Sequence, residues 1–180
     1  MPQSVLIPRR PVPDLDVVTV DQGRWRLADR TPEHFSMIVF YRGLHCPICS
    51  KSLADLERRH DDFSGLGVDV IAVSCDPEER ARQAASDWGL KRVTLGYGVN
   101  IDTARNWGLF ISSGVGKTSV GIEEPAQFSE PGLFLIRTDG TLYCSTVQTM
   151  PFARPHFAEV VGAIDFAISK NYPARGELAP

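Results

Sequence analysis

The sequence predicts an α/β fold: a central mixed β-sheet flanked by helices, with an N-terminal β-hairpin. Three observations carry that expectation. Two apolar, β-rich runs, "FSMIVF" and "VDVIAV", each hand over to a stretch of helical spacing, as the strand–helix units of a parallel sheet do. A later segment, "GLFLIRTDGTLYCSTV", reads as two strands around an Asp-Gly turn and adds antiparallel pairing. The 180 residues, 43% hydrophobic and 23% charged, suit one compact domain that can bury a sizeable core.

The elements follow in order. Residues 1–12 are read as an extended or loose tail. "DVVTV", a turn at Asp21-Gln22-Gly23 and "RWRLA" form the hairpin. "FSMIVFYRG" is a central buried strand ending at Gly43. From Pro47 the period changes: Leu53, Leu56, His60 and Phe63 recur at spacings of three and four, predicting one amphipathic helix that ends near "SGLG". "VDVIAVSCD" is a second strand. "PEERARQAASDWGL" is a helix with Pro77 at its start, acidic residues in its first turn and Gly89 at its stop. A short strand, "RVTLGYG", and a short helix, "NIDTARNWGLF", come next. Residues 111–130 have no clean period and are read as a long loop. After the second hairpin a final helix covers "HFAEVVGAIDFAISK", and residues 171–180 are expected to be loosely attached.

Composition excludes several functions. The net charge of −3 comes without any Lys/Arg-rich block, so nucleic acid has no electrostatic reason to bind. No apolar run reaches the length of a membrane span or a signal-peptide core, and prolines interrupt the N-terminus. The expected compartment is the cytoplasm, where four cysteines are not read as two structural disulfides. "SGVGKTS" ends like a phosphate-binding loop, but Ile111 stands where the motif's first glycine belongs and no helix is expected after it.

The chemistry centres on "LHCPICSK". Cys46 and Cys49 are three apart, directly after a strand, with Pro47 between them. Pro is tolerated in the first helical turn because its missing N–H would be unpaired there anyway. That places Cys46 at a helix N-terminus, where free N–H groups and the helix dipole favour a thiolate. Cys49 lies one turn along the same face, close enough for a disulfide after modest adjustment. Position thus yields an attacking and a resolving cysteine. Two other readings stand beside it: small core residues meeting by chance, or a zinc or copper site, which would need further ligands the sequence does not supply. His45 could raise the thiolate content or relay a proton. Arg42 and Arg154 could each hold positive charge near the sulfur. Cys75 and Cys144 read as small apolar residues of core strands.

These residues resemble a known family. "FYRGLHCPICSKSLADLERR" is similar to the "FYRGxxCPxC" segment of the CxxC-containing branch of the AhpC/TSA, or peroxiredoxin-like, family of the thioredoxin-like superfamily. "GVDVIAVSCDPEERARQAASDWGL", "PGLFLIRTDGTLY" and "MPFARP" resemble later segments of that branch. The resemblance covers roughly residues 14–165 and implies a thioredoxin-like fold. Thioredoxin-like reductases use the first cysteine of CxxC as nucleophile, the second as resolver, and a cis-proline beside the pair. Pro131 matches that proline, so a cis Glu130–Pro131 bond is expected. Peroxiredoxins instead place their peroxide-reactive cysteine at the second position, here Cys49. Their threonine, proline and arginine then fall on Cys46, Arg42 and Pro131, so three of four peroxide-site residues are absent. The expected activity is therefore thiol–disulfide exchange in antioxidant defence, with thiol-dependent peroxide reduction as the alternative. The expected partners are a disulfide or peroxide substrate and an external thiol reductant of the thioredoxin or glutathione type. Neither cofactor nor metal is required, and a homodimer is left open.

Overall fold

In a computed structural model that describes residues 5–178, seven strands form one sheet, in the order β2-β1-β5-β4-β3-β8-β9. Its centre is made by the two apolar runs. β3 (Phe35–Phe40) pairs parallel with β4 (Val68–Val73) in unbroken register, from Phe35 opposite Val68 to Phe40 opposite Val73. β5 (Thr94–Tyr97) continues the parallel block beside β4. The N-terminal hairpin, β1 (Asp16–Thr19) and β2 (Arg24–Arg26), joins antiparallel to β5. The late hairpin, β8 (Gly132–Arg137) and β9 (Leu142–Val147), joins antiparallel to the other flank of β3. The expected mixed sheet with its N-terminal hairpin is present.

Every residue of β3 is buried because both faces of the sheet are covered. Met37, Val39 and Tyr41 face α1 (Pro47–Arg58), α2 (His60–Gly65) and α5 (Phe157–Ser169) through Leu53, Leu56, Phe63, Val160 and Ile164. α3 (Glu78–Asp87) contributes Ala81 to the same core, with Ala85 packed against it. Ile38 and Phe40 face the opposite way, toward Leu15, Trp25 and Trp107, the last just beyond α4 (Ile101–Asn106). The period of two along β3 sorts its side chains between two cores.

Four expectations need correction. The single helix after Pro47 is two, broken at Arg59, which leaves helical geometry (φ −98°, ψ 8°) although its N–H still donates to the Asp55 carbonyl (3.2 Å) and its carbonyl accepts the Phe63 N–H (3.2 Å). The Arg59 side chain is tied by Asp55 and Asp62, and Arg92 reaches Asp61 at the same corner. The 111–130 segment is an arm rather than a plain loop: β6 (Ile111–Ser113) pairs antiparallel with β7 (Gln127–Ser129), and Lys117 bridges to Glu123. The tails are fastened in their described parts. Arg9 donates to the Ala174 carbonyl at 2.8 and 3.0 Å, and its backbone N–H to Leu142 at 2.8 Å. Ala174 itself is buried. Finally, no peptide bond among the described residues is cis, so Glu130–Pro131 is trans. The path from β7 into β8 is held by the Glu130 N–H on Phe110 O (2.8 Å) and the Pro131 carbonyl accepting from Gln148 (2.9 Å). An extended trans bond serves that path.

Among the described residues no helix is long and apolar enough to cross a membrane.

Phe40 sits where three aromatic rings meet, its centroid 5.7 Å from both Trp107 and Phe134. Phe40→Ala is expected to destabilise the fold by about 3–5 kcal/mol, read as a lowered midpoint in urea denaturation with an unchanged slope.

Candidate active site

The CxxC pair lies where β3 runs out. Tyr41 keeps one ladder bond to Val73 (3.0 Å), and Gly43 (φ 136°) then turns the chain sharply. The Cys46 N–H closes that turn on the Gly43 carbonyl at 3.1 Å. Cys46 is the N-cap of α1, in extended geometry, and Pro47 is its first helical residue. The Cys46 sulfur takes the capping role a serine or aspartate usually fills, accepting the Cys49 N–H at 3.3 Å. The sulfur of Cys49 accepts the backbone N–H of Arg42 at 3.4 Å.

Arg154 completes the site from far along the chain. Its Nη2 lies 3.0 Å from the Cys49 sulfur and 4.0 Å from that of Cys46. Its Nε donates to the Pro151 carbonyl at 2.9 Å, bracing the guanidinium within the "MPFARP" bend, where Ala153 adopts φ 54°. Both sulfurs are covered: Cys46 is 1% exposed and Cys49 fully buried.

Two adjacent buried thiols cannot both ionise, and the surroundings choose Cys46. Its acidity is raised first by the Cys49 thiol, which donates to it, then by the Cys49 N–H, Arg154 and Arg42; together they overcome burial and bring it down to about 6. Cys49 moves the other way, driven up by its burial and then by its neighbour. Arg154 is nearer Cys49, yet that sulfur has no surface at all and serves as donor. The arrangement is one thiolate at a helix N-terminus and one thiol directly behind it.

His45 is fully buried, its ring 4.6 Å from that of Phe128. Burial, then Arg42, bring its pKa down to about 4, so near pH 7 it is neutral and adds no positive charge beside the sulfur. Arg42 is flanked by carboxylates: Glu130 at 3.3 Å and Glu124 at 3.6 Å, with its guanidinium carbon 4.7 Å over Phe128. Ser112 donates to Glu130 at 2.6 Å. The arm therefore packs on the active site through Glu124, Phe128 and Glu130, none of which sequence reasoning singled out. Their only local signal was acidic residues in a segment otherwise without pattern.

Pro131, in trans, lines a small cleft with Ser52, Gln148 and Arg154, the last of which also reaches both sulfurs. Cys75 is partly buried and Cys144 is exposed on the edge strand β9, so Cys144 is not the core residue its sequence context suggested. Among the described residues no group of three or more His, Cys, Asp or Glu side chains is arranged to hold a metal ion.

Comparison with known proteins agrees with this architecture. The model of the AhpC/TSA family matches residues 8–144. No curated protein matches the chain significantly. Among solved structures, the mitochondrial 2-Cys peroxiredoxin from Plasmodium falciparum superimposes with a TM-score of 0.71 at 18% identity, covering 98% of this chain and 100% of that one. Peroxidoxin BcpB from Mycobacterium tuberculosis gives 0.69 at 15% identity, covering 89% and 97%. A cysteine mutant of the peroxiredoxin 6 of Arenicola marina gives 0.72 at 18% identity, covering 94% and 76%. At these identities the likeness establishes a shared thioredoxin-like fold.

Replacing Arg154 by Gln removes a cation from beside the thiolate, which disfavours the charged form. The midpoint of Cys46 alkylation by iodoacetamide is expected to rise from about 6 by about one pH unit, slowing the reaction at pH 7. Peptide mass mapping across a pH series measures it.

Proposed function

The chain belongs to the AhpC/TSA family, and from that premise we propose that it is a thiol-dependent oxidoreductase in which Cys46 attacks and Cys49 resolves. The observation that carries this reading is the asymmetry of the two sulfurs: Cys46 is stabilised as thiolate by four donors or cations, while Cys49 is held as its thiol partner. With a hydroperoxide, the Cys46 thiolate attacks the distal oxygen, forming an S–O bond while the departing alkoxide or hydroxide takes a proton from solvent. The O–O bond breaks, an alcohol or water leaves with a proton, and Cys46 becomes a sulfenic acid. Cys49 then attacks that sulfur, the S–O bond breaks, and water departs as the Cys46–Cys49 disulfide forms. Two equivalents of an external thiol, of the thioredoxin or glutathione type, return the dithiol.

Burial of both sulfurs supports a small hydroperoxide as the oxidant, since a bulky protein disulfide could not touch Cys46 in this conformation. The peroxide-site arginine missing at Pro131 has a counterpart in Arg154, whose guanidinium faces both sulfurs. Thiol–disulfide exchange is the second reading. It is favoured by the cleft along Pro131, Ser52 and Arg154, which Arg154 joins to both sulfurs and which could receive an extended disulfide-bearing segment. No cofactor enters either cycle.

Hydrogen peroxide and an oxidised model protein, each with a thiol donor, separate the two. Cys46→Ser is expected to abolish turnover. Cys49→Ser should consume about one equivalent of oxidant and stop, with Cys46 found as sulfenic acid or mixed disulfide. Sustained activity of the Cys46→Ser protein through Cys49 would overturn the assignment.

A further inference from the structure

Asp76 and Arg80 lie outside the residues that touch the sulfurs, yet both are joined to the turn that delivers Cys46. Asp76 follows β4 by three residues and its side chain is wholly buried. One carboxylate oxygen accepts the Leu44 N–H at 2.7 Å. The other accepts Arg80 Nε at 3.0 Å, and Arg80 Nη2 reaches to 3.5 Å from His45 Nδ1. The carboxylate also sits flush against Gly43: a Cβ there would come within 2.7 Å of its oxygen. Asp76 is itself fixed at both backbone ends, its N–H on Ser74 Oγ (3.3 Å) and its carbonyl taking the Gly98 N–H (2.9 Å).

These contacts grip three consecutive residues, Gly43, Leu44 and His45, immediately before the N-cap. Arginine is always a donor, so its approach to Nδ1 leaves the His45 proton on Nε2, a buried atom with no hydrogen-bond partner. The capping bond from the Cys49 N–H exists only while Cys46 holds its extended geometry, and that geometry is the exit of the gripped turn.

We propose that Asp76 and Arg80 are positioning residues for Cys46, acting as one unit that clamps the Gly43–His45 turn so that the Cys46 sulfur stays over the first N–H groups of α1. The pair fixes where the thiolate sits; it does not supply its charge. This rests on Cys46 being the attacking thiolate, and wild-type protein tests that premise first: if Cys46 titrates like an ordinary thiol there, the functional reading fails before any variant is compared.

The test uses full-length Asp76→Asn, Arg80→Gln, Arg80→Lys and the double variant Asp76→Asn/Arg80→Gln, with the alkylation midpoint of Cys46 as readout and circular dichroism and thermal melting as controls. A through-space field would move the single variants in opposite directions: loss of the carboxylate would lower the midpoint and loss of the guanidinium would raise it. Positioning raises both, by about one pH unit, because each loosens the same turn and weakens the capping bond. The double variant should shift no further than either single one, since the two act as a unit. Arg80→Lys, which keeps the charge pair, should recover part of the shift. Should a single variant fail to fold, the double variant, which leaves no unpaired buried charge, takes its place with the same expected rise. Opposite shifts, or melting temperatures that fall while the midpoint stays at the wild-type value, would overturn the proposal.

Discussion

One hydrogen-bonding arrangement organises this site: a sulfur, not an oxygen, caps α1. The cap ties the end of β3 to the start of the helix, and its N–H joins the Cys49 thiol in favouring a thiolate at Cys46. Pro47 makes it possible by starting the helix with a residue that asks for no N–H partner, leaving the Cys49 N–H to find Cys46. The rest of the site follows from having to bury that anion. A covered thiolate requires compensation, and the chain provides it as N–H groups, a thiol and a guanidinium, with His45 left neutral.

The fold was legible where local pattern and burial coincide. β3 and β4 read as continuous apolar runs because both of their faces are covered, and Leu53, Leu56 and Phe63 kept the helical period across a helix that breaks. The break itself left no trace in that period, because charge pairs at a corner, not apolar spacing, set it. Cys46 and Cys49 were legible for the same local reason: their spacing and Pro47 are properties of a few residues.

What could not be read were partnerships between distant segments. Arg154 meets Cys49 across more than a hundred residues, and Glu124 and Glu130 fold back from the arm onto Arg42. Nothing local marks an arginine or a glutamate for such a role. The tails were misjudged similarly, since their anchoring to each other and to β9 depends on where the sheet brings them. Pro131 lines a cleft that Arg154 shares, and its peptide bond is trans where the resemblance implied cis. Where the resemblance implies an arginine, Pro131 stands, yet Arg154 brings a guanidinium to both sulfurs from the connection after β9.

Arg154 and the cap share a further consequence. Every contact that favours the Cys46 thiolate is made to a charge that the disulfide does not carry. Those contacts therefore stabilise the dithiol state relative to the bridged state, and electrons are held more tightly than an unperturbed pair would hold them. In the proposed cycle the reduction potential is thereby displaced toward the oxidising end, and a Cys46–Cys49 bridge would be readily surrendered to a modest thiol donor. On that reading, the return to the dithiol is written into the same guanidinium that favours the thiolate.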